Sequence, residues 1–291
     1  MFSIIVPTYN NIEYLKILIT SIKVNSKYNH EIIIHVNEGT DGTLDYVKKN
    51  KIKYTYSEKN IGLCSATNTA ASKSSTQYIL YTHDDMYFCP GWDVALLKEI
   101  KELNTNSYYI SGTMIEQSSG HIQLDCGSNF LDFDERLLLE KYNAVKFFDH
   151  QGSHWAPHLI HKSLWDKIGG FSQEFNPGIG SDPDLNMKLW ASGVRIFKGL
   201  NKFRVYHFGS VVLRKKKNFK RNNGTRTFLL KWGFTPIFFV KHYLRGGVFK
   251  FNKIICNKFY EPLEEPKKNT SFYLDLFICK IKLFYLKIFK F

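Results

Sequence analysis

The N-terminal part of the chain, residues 1 to about 85, alternates short apolar, β-branched runs with longer amphipathic runs. Apolar side chains recur at helical spacing within Ile12–Lys23, which predicts a helix with one buried face, and a second helix is predicted over Ile61–Lys73. The intervening runs predict strands at Ser3–Val6, Glu31–Val36, Lys53–Tyr56 and Tyr78–Thr82. This alternation is typical of βαβ units, so we expect an α/β fold.

Beyond Gly91 the pattern is less regular. The predicted elements there are a helix over Trp92–Leu103, a strand near Tyr108–Thr113, a helix over Pro183–Ser192 and strands at Arg195–Phe197 and Arg204–Tyr206. After Ser210 the composition changes to a basic run, Arg214–Lys217, followed by mixed basic and aromatic sequence. We therefore predict one domain over residues 1–210 and a basic, aromatic-rich, helical extension over residues 211–291.

Net charge, cysteine content and the first apolar run indicate where the protein is located and what kind of partner it binds. The net charge of +14 calls for an anionic partner, either nucleic acid, nucleotide phosphates or an acidic membrane surface. The five cysteines are scattered and form no CxxC pair, so we expect neither a disulfide framework nor a zinc cluster. The first apolar run, Phe2–Val6, has no basic leader and ends at Pro7, unlike a signal peptide. A cytoplasmic protein is expected.

Polar and acidic residues follow the predicted strands, at the sheet edge where open α/β folds bind ligands. The first strand ends in Pro7-Thr8-Tyr9-Asn10, and the second leads into Glu38, whose carboxylate can accept a hydrogen bond from a base or ribose hydroxyl. The fourth strand ends in Thr82-His83-Asp84-Asp85. Clustered carboxylates are costly unless a cation neutralises them, although a hydrated surface turn is the alternative.

Taken together, these segments resemble the inverting family 2 glycosyltransferases of the GT-A fold. The resemblance covers residues 1 to about 210 in the family's order. It is carried by the segments Ser3–Asn10, Glu38–Thr43, Asn60-x-Gly62-x-x-x-Ala66-x-Asn68, the acidic turn before Pro90-Gly91, Gly180–Leu185 and Val205-Tyr206-His207. It implies a Rossmann-like mixed sheet flanked by helices, and an enzyme that transfers sugar from a nucleotide-sugar donor.

The resemblance also implies roles for matching positions. The acidic turn corresponds to the family's Asp-x-Asp signature, with His83 at the first position and Asp85 as the ligand of a divalent metal, Mn²⁺ or Mg²⁺. His207 corresponds to a later histidine ligand. The other positions implied in donor binding are Pro7, Thr8, Tyr9, Glu38, Asn60, Gly62, Asn68, His83 and Asp84.

Asp182 lies where the family places its catalytic base. A fixed carboxylate can remove the proton of an acceptor hydroxyl as that hydroxyl attacks the anomeric carbon. The bland alternative is that Asp182 caps a helix whose first residue is Pro183.

Three positions depart from the family pattern. Thr67 stands where an arginine is usual, so one charge facing the phosphates is missing unless Lys59 or Lys73 partly replaces it. His83 favours Mn²⁺ over Mg²⁺, which prefers oxygen ligands. Ser181 replaces a common glutamate before the expected base.

The last segment, residues 272–291, is too interrupted by lysines to span a bilayer. On a helix, Lys280, Lys282 and Lys287 fall on one side and a row of aromatic and aliphatic residues on the other, as in a helix that lies in a membrane interface. Leu276 and Leu283 on the basic side leave open a helix packed on the protein.

The expected function is therefore transfer of a sugar, from a UDP-sugar by preference, to a glycan or lipid-linked acceptor in cell-surface polysaccharide synthesis. The expected location is the cytoplasmic face of an anionic membrane. Two alternatives stay open. A nucleotidyltransferase is weakened because Pro7–Asn10 has no glycine-rich phosphate loop, and a nucleic-acid-binding protein is not expected because Asp84, Asp85 and Asp182 would repel phosphates.

Overall fold

The structure is a computed structural model that describes residues 1–209, 222–250, 253–260 and 262–288. Its strands are β1 Ser3–Tyr9, β2 Glu31–Asn37, β3 Lys53–Ser57, β4 Tyr78–Tyr81, β5 Met86–Phe88, β6 Tyr108–Glu116, β7 Ile122–Gln123, β8 His150–Gln151, β9 His158–His161, β10 Ile196–His207, β11 Val248–Lys250 and β12 Lys253–Ile255. Its helices are α1 Ile12–Asn25, α2 Thr43–Lys49, α3 Leu63–Ala71, α4 Trp92–Leu103, α5 Glu135–Lys141, α6 Lys162–Ile168, α7 Ser181–Ala191, α8 Gly224–Trp232, α9 Pro236–Phe239 and α10 Thr270–Ile288, the C-terminal helix.

Ten strands form one mixed sheet in the order β3-β2-β1-β4-β9-β6-β10-β5, with β7 and β8 attached to β6 and β10. The N-terminal strands β1 to β4 run parallel, as the βαβ alternation predicts. Strand β9 runs antiparallel to both β4 and β6, and so joins the two halves of the sheet. The expected mixed α/β architecture is present.

Strand β1 lies at the centre of the N-terminal half. Ile4, Ile5 and Val6 are all fully buried, because helices cover both faces of a parallel sheet and favour a run of apolar side chains in its central strands. Helix α1 buries Leu15, Ile19 and the other apolar residues that recur at helical spacing.

Two predicted boundaries were wrong. The strands expected at Arg195–Phe197 and Arg204–Tyr206 are one strand, β10, with an irregularity in its pairing between Leu200 and Arg204. The helix expected from Pro183 begins at Ser181, with Gly180 at its N-cap.

The apolar core continues past residue 210, where the composition changes. Besides the strands of the sheet, the main core contains five fully or nearly fully buried residues from beyond that point: Phe228, Phe239, Leu244, Ile254 and Leu263. The hairpin β11–β12 is also bonded to the rest of the chain, since Ile254 N donates to Gly120 O at 3.1 Å. The predicted division into 1–210 and 211–291 thus marks a change of composition, and packing crosses it.

The C-terminal helix lies against α8 and α9. Phe272, Leu276 and Leu283 pack against Leu229 and Phe238 in a separate small apolar cluster. In the part of the chain that the structure describes, no helix combines the length and the apolarity that crossing a bilayer requires.

Candidate active site

A cleft opens at the carboxyl ends of β1, β2 and β4, beside the start of α7. Its lining residues are Pro7, Thr8, Tyr9, Asn37, Asn60, Leu63, Tyr81, His83, Asp84, Asp85, Pro177, Gly178, Ile179, Ser181 and Asp182. Eight of the expected site residues line it, because parallel strands deliver their ends to the same edge of a sheet.

The acidic turn meets the end of β10 at the floor of this cleft. Strand β5 pairs antiparallel with β10 so that Met86 lies opposite His207, which sets the preceding turn beside the histidine. One ligand atom from each of His83, Asp85 and His207 lies within 4.8 Å of the others. The distance from His207 Nε2 to Asp85 Oδ1 is 3.5 Å. Two imidazoles and a carboxylate suit manganese and other borderline metals better than Mg²⁺.

Glu116, at the end of β6, contacts this group and was not predicted from the sequence. His207 Nδ1 donates to Glu116 Oε1 at 2.6 Å, which leaves Nε2 directed to Asp85. Burial alone lowers the pKa of His207, but Asp85 and Glu116 outweigh it and raise that pKa to about 10. Such a carboxylate behind a metal-binding histidine fixes the orientation of the ring.

The other members of the turn are held in different ways. Thr8 Oγ1 donates to Asp84 Oδ2 at 2.6 Å, so the end of β1 is tied to the turn. Burial, and then the neighbouring Asp85 carboxylate, raise the pKa of Asp84. Burial lowers the pKa of His83 to about 4, so its imidazole is neutral, the form in which histidine binds metals.

Tyr9 and Asn60 line one side of the cleft, and Glu38 lies beside Tyr9 outside the lining. The Tyr9 hydroxyl hydrogen-bonds to the side chains of Glu38 and Asn60, and burial followed by the charge of Glu38 raises the pKa of Tyr9. Asn60 Oδ1 in turn accepts from Gly62 N at 2.9 Å. The glycine at position 62 has a structural reason, because φ is +82° and a side chain there would collide with Asn176.

Asn68 and Thr67, in the segment that begins at Asn60, lie outside the cleft lining. Both ends of the Asn68 amide bond to the backbone of Phe171, at 2.7 and 2.9 Å, so this residue joins α3 to the loop after α6. Thr67 is fully buried and donates to Leu63 O. Lys59 and Lys73 are exposed, and no lysine or arginine occurs among the described residues that line the cleft.

Asp182 lies in the first turn of α7 and faces the cleft. The capping alternative is wrong, because Gly180 is the N-cap and no side chain makes a cap hydrogen bond. Asp182 Oδ1 is buried without a hydrogen-bond partner among the described residues. Burial raises the pKa of this carboxyl to about 7. A carboxylate with an unused oxygen and a pKa near neutrality has the properties of a general base.

Asp184, two positions along, is by contrast fully used. Its oxygens accept from Ser172 Oγ at 2.5 Å and Trp232 Nε1 at 2.8 Å, and Lys231 Nζ lies 2.9 Å away. The residue is completely buried and ties α7 to α8. It therefore holds the helix that carries Asp182.

Structural roles are visible for three residues between Gly152 and Lys162: His154, Trp155 and His161. Trp155 packs against the main core, and its ring centroid lies 3.9 Å from that of His154. His161 caps α6 by accepting from Ser163 N.

The fold and this cleft define a nucleotide-dependent transferase of α/β type, and comparison with known proteins gives the family. The family model described as glycosyl transferase family 2 matches residues 3–168. The chain belongs to glycosyl transferase family 2.

Curated relatives are distant. An uncharacterized glycosyltransferase of Rickettsia typhi is 29% identical over 180 residues, which are 60% of this chain and 54% of that protein. The hyaluronan synthase of Pasteurella multocida is 26% identical over 77% of this chain and 22% of its own length. The chain thus spans about half of the first relative. The GalNAc(5)-diNAcBac-PP-undecaprenol beta-1,3-glucosyltransferase of Campylobacter jejuni is 23% identical over 98% of this chain and 89% of that protein.

Solved structures share the fold. Residues 1–349 of TarS from S. aureus, in complex with UDP-GlcNAc, superimpose with a TM-score of 0.52 at 19% identity, over 72% of this chain and 61% of that one. GalNAc-T7 with UDP, GalNAc and Mn²⁺ gives 0.55 at 17% identity, over 71% and 43%. The expected GT-A-type fold is thereby confirmed.

Proposed function

We propose that this protein is an inverting glycosyltransferase that moves a sugar from a nucleotide-sugar, a UDP-sugar by preference, to a hydroxyl group of a glycan or lipid-linked acceptor. The observation that carries the proposal is that Asp182, which has an unpartnered carboxylate oxygen, lines the same cleft as His83 and Asp85. These two residues form a candidate metal site with His207. Asp182 supplies a base, and the metal site receives the cation that accompanies a diphosphate.

Asp182 is the residue that would accept the proton of the acceptor hydroxyl. Asp182 lines the cleft, and its raised pKa makes it a stronger base than an exposed aspartate. Attack on the anomeric carbon from the side opposite the departing diphosphate inverts the configuration at that carbon.

Asp85, His207 and His83 would hold the divalent ion, Mn²⁺ by ligand preference. A bound ion neutralises charge that develops on the leaving diphosphate. Glu116 would orient His207, and the Thr8 bond would hold Asp84 at the base of the turn. The Tyr9–Glu38–Asn60 group would receive the base and ribose.

The donor and acceptor classes rest on the relatives. TarS and GalNAc-T7 have been solved with UDP-GlcNAc and with UDP, respectively, and the Campylobacter relative is named for a lipid-linked acceptor. From these donor and acceptor classes we propose a role in cell-surface polysaccharide synthesis, in a reducing cytoplasm. The five cysteines are free, as such a compartment maintains them.

The deciding experiment is a screen of the purified full chain against nucleotide-sugars with Mn²⁺ or Mg²⁺, read as release of nucleoside diphosphate. We expect release from one donor, faster with an acceptor glycan and dependent on metal. In a parallel assay with a nucleoside triphosphate and a sugar 1-phosphate, release of inorganic diphosphate would instead establish a nucleotidyltransferase. No release of nucleoside diphosphate from any nucleotide-sugar would contradict the proposal.

We further propose that the C-terminal helix rests on the surface of an anionic membrane. The stripe Phe272–Leu276–Leu283 packs inward, and the opposite face is apolar and open to solvent. Its side chains are 41–62% exposed: Tyr273, Leu274, Phe277, Ile278, Ile281, Phe284, Tyr285 and Ile288.

The lysines beside the exposed apolar face of the C-terminal helix favour an anionic membrane as its partner. At about 100° per residue these eight side chains cover an arc of roughly 140°, and exposed Lys280, Lys282 and Lys287 flank the arc. Lysines at the edges of an apolar face reach the phosphate level of a bilayer while the face enters the acyl boundary. The packed and interfacial alternatives for this helix are therefore compatible, since they use opposite faces.

A further inference from the structure

A second group of metal-ligating side chains lies outside the cleft, where the C-terminal hairpin meets the main sheet. It consists of His121, in the loop before β7, His150 in β8 and Cys256 immediately after β12. One ligand atom from each lies within 4.8 Å of the others. The proposed glycosyl transfer uses none of these three residues.

The backbone brings the three segments together independently of the side chains. Ile254 N donates to Gly120 O at 3.1 Å, beside His121. Gln151 N donates to Asn257 O at 3.0 Å, and His150 forms a bridge with Lys258. Cys256 is therefore held between the two histidines by hydrogen bonds on either side of it.

The imidazoles are buried with unused nitrogens. His150 is completely buried and His121 is 9% exposed. His121 Nδ1 accepts from Met114 N, but its Nε2 has no partner among the described residues. Neither nitrogen of His150 has a partner of good hydrogen-bonding geometry there, although the backbone of Phe148 lies near the ring. Buried polar atoms normally have partners, so three unused nitrogens at one point indicate a missing ligand.

The chain also makes room for His150. The imidazole occupies the space that a side chain on Gly199 would fill, and a Cβ at that position would collide with the ring. The ring centroids of His121 and His150 lie 4.4 Å apart, and one nitrogen of each ring lies within 4.8 Å of the other.

We propose that His121, His150 and Cys256 bind one zinc ion that fastens the C-terminal hairpin to the main sheet. Two imidazoles and a thiolate are ligands that zinc prefers. A tetrahedral zinc site, with bonds of about 2.0–2.3 Å, holds its ligand atoms roughly 3.4–3.8 Å apart, so side-chain shifts of under about 1 Å would close it. Binding releases the proton of the Cys256 thiol to solvent, and water or another group completes the fourth position.

The proposal does not rest on glycosyltransferase activity, and its test avoids the active-site metal. All proteins are full-length, free of metal-binding tags and carry Asp85→Asn, which removes a ligand from the cleft. Zinc content after dialysis is measured by mass spectrometry, and cobalt is titrated into chelator-treated protein to look for the sulfur-to-cobalt charge-transfer absorption. Cys256→Ala is compared with Cys279→Ala, a buried thiol outside the cluster.

We expect about one zinc ion per chain in Asp85→Asn and in its Cys279→Ala form, with affinity more than about tenfold weaker in the Cys256→Ala form. Zinc should raise the Tm of the first two proteins only, because metal bound to the native state stabilises it. The proposal is overturned if Asp85→Asn retains no zinc and shows no sulfur-to-cobalt band. It is equally overturned if the Cys256→Ala form keeps one zinc ion per chain. Buried water would then be the partner of the two histidines.

Discussion

At the scale of single residues, Asp182 and Asp184 show how position decides chemistry within one helical turn. Asp184 accepts hydrogen bonds from Ser172 and Trp232 and pairs with Lys231. Asp182 instead lines the cleft and has one buried oxygen without a hydrogen-bond partner among the described residues. From the sequence, either carboxylate could serve as the base. The packing of α7 against α8 distinguishes them, because it gives partners to Asp184 and leaves Asp182 in the cleft lining.

Substitution of Asp182 by asparagine should abolish chemistry and leave folding intact. Removal of a general base typically costs about a hundredfold or more in turnover, while donor affinity stays near wild type. Steady-state kinetics and donor-binding calorimetry measure the two effects. Asp184→Asn is the control, since it should lower Tm by weakening a buried charged network. Normal turnover in Asp182→Asn would remove Asp182 as the base.

The raised pKa of Asp182 predicts opposite trends in activity and stability. Because the base must be ionised, turnover should rise as pH increases through about 7 and then level off. The folded state binds this proton more tightly than the unfolded state, so ionisation costs stability as pH rises from about 4 to about 7. Raising the pKa of Asp182 from 3.8 to about 7 lowers the free energy of unfolding at high pH by at most about 4 kcal/mol.

Asp182→Asn removes that cost. The Tm of the variant should therefore exceed the wild-type value near pH 8, and the difference should shrink toward about pH 4, where both side chains are neutral. Thermal melts across this range measure it. A variant that is less stable at every pH would show that burial of the Asp182 carboxylate carries no such cost.

Asp85→Asn tests the metal group. An amide is a poorer ligand than a carboxylate and also removes the charge that faces His207, so most metal-dependent turnover should disappear. Calorimetry of donor binding with and without Mn²⁺ should show loss of the metal-dependent part. Glu116→Gln should give a milder loss, because Glu116 orients His207 without belonging to the ligand group. Unchanged metal-dependent binding in Asp85→Asn would exclude Asp85 as a ligand.

At the scale of elements, long periodic segments were predictable and short ones were not. Strand β1 and helix α4 follow from extended apolar patterns. Strand β9 has four residues and lies between β4 and β6 through pairings with residues 47 to 83 positions away, which no local pattern specifies. Glu116 and Cys256 were missed for the same reason, since only tertiary pairing gives them their neighbours.

The two faces of the C-terminal helix should separate membrane binding from packing. Phe277→Asp with Phe284→Asp places charge on the exposed face, and loss of two inserted rings should weaken binding to anionic vesicles by roughly tenfold or more. Tm should change little. Leu131→Asp, at an 83% exposed residue in a distant loop, is the matched control.

Vesicle sedimentation at low and high salt reads the result, because the flanking lysines contribute a salt-sensitive part. Wild-type protein that ignores anionic vesicles and instead sediments as a dimer, dissociated by the two substitutions, would assign this face to a second copy of the chain.

At the scale of the whole molecule, the change in composition near residue 210 does not coincide with a boundary in the packing of the core. The basic, aromatic sequence begins near residue 210, but Phe228, Phe239 and Leu263 complete the core that the sheet begins. Lys231 also neutralises the buried Asp184 carboxylate across the same boundary. The C-terminal helix, in contrast, adds only the small cluster around Leu229.

Two truncations should therefore behave differently. Ending the chain after Asn269 removes the C-terminal helix, so the protein should fold, bind donor and lose its affinity for anionic vesicles. Ending it after Gly209 removes Phe228 and Phe239 from the core and leaves Asp184 without Lys231, a buried charge whose isolation costs about 3–5 kcal/mol. That fragment should be insoluble or should melt without cooperativity. Circular dichroism melts and donor-binding calorimetry compare the two. A fragment of residues 1–209 that melts cooperatively and binds donor would show that the compositional boundary is also a folding boundary, and that the segments beyond it are an appended layer.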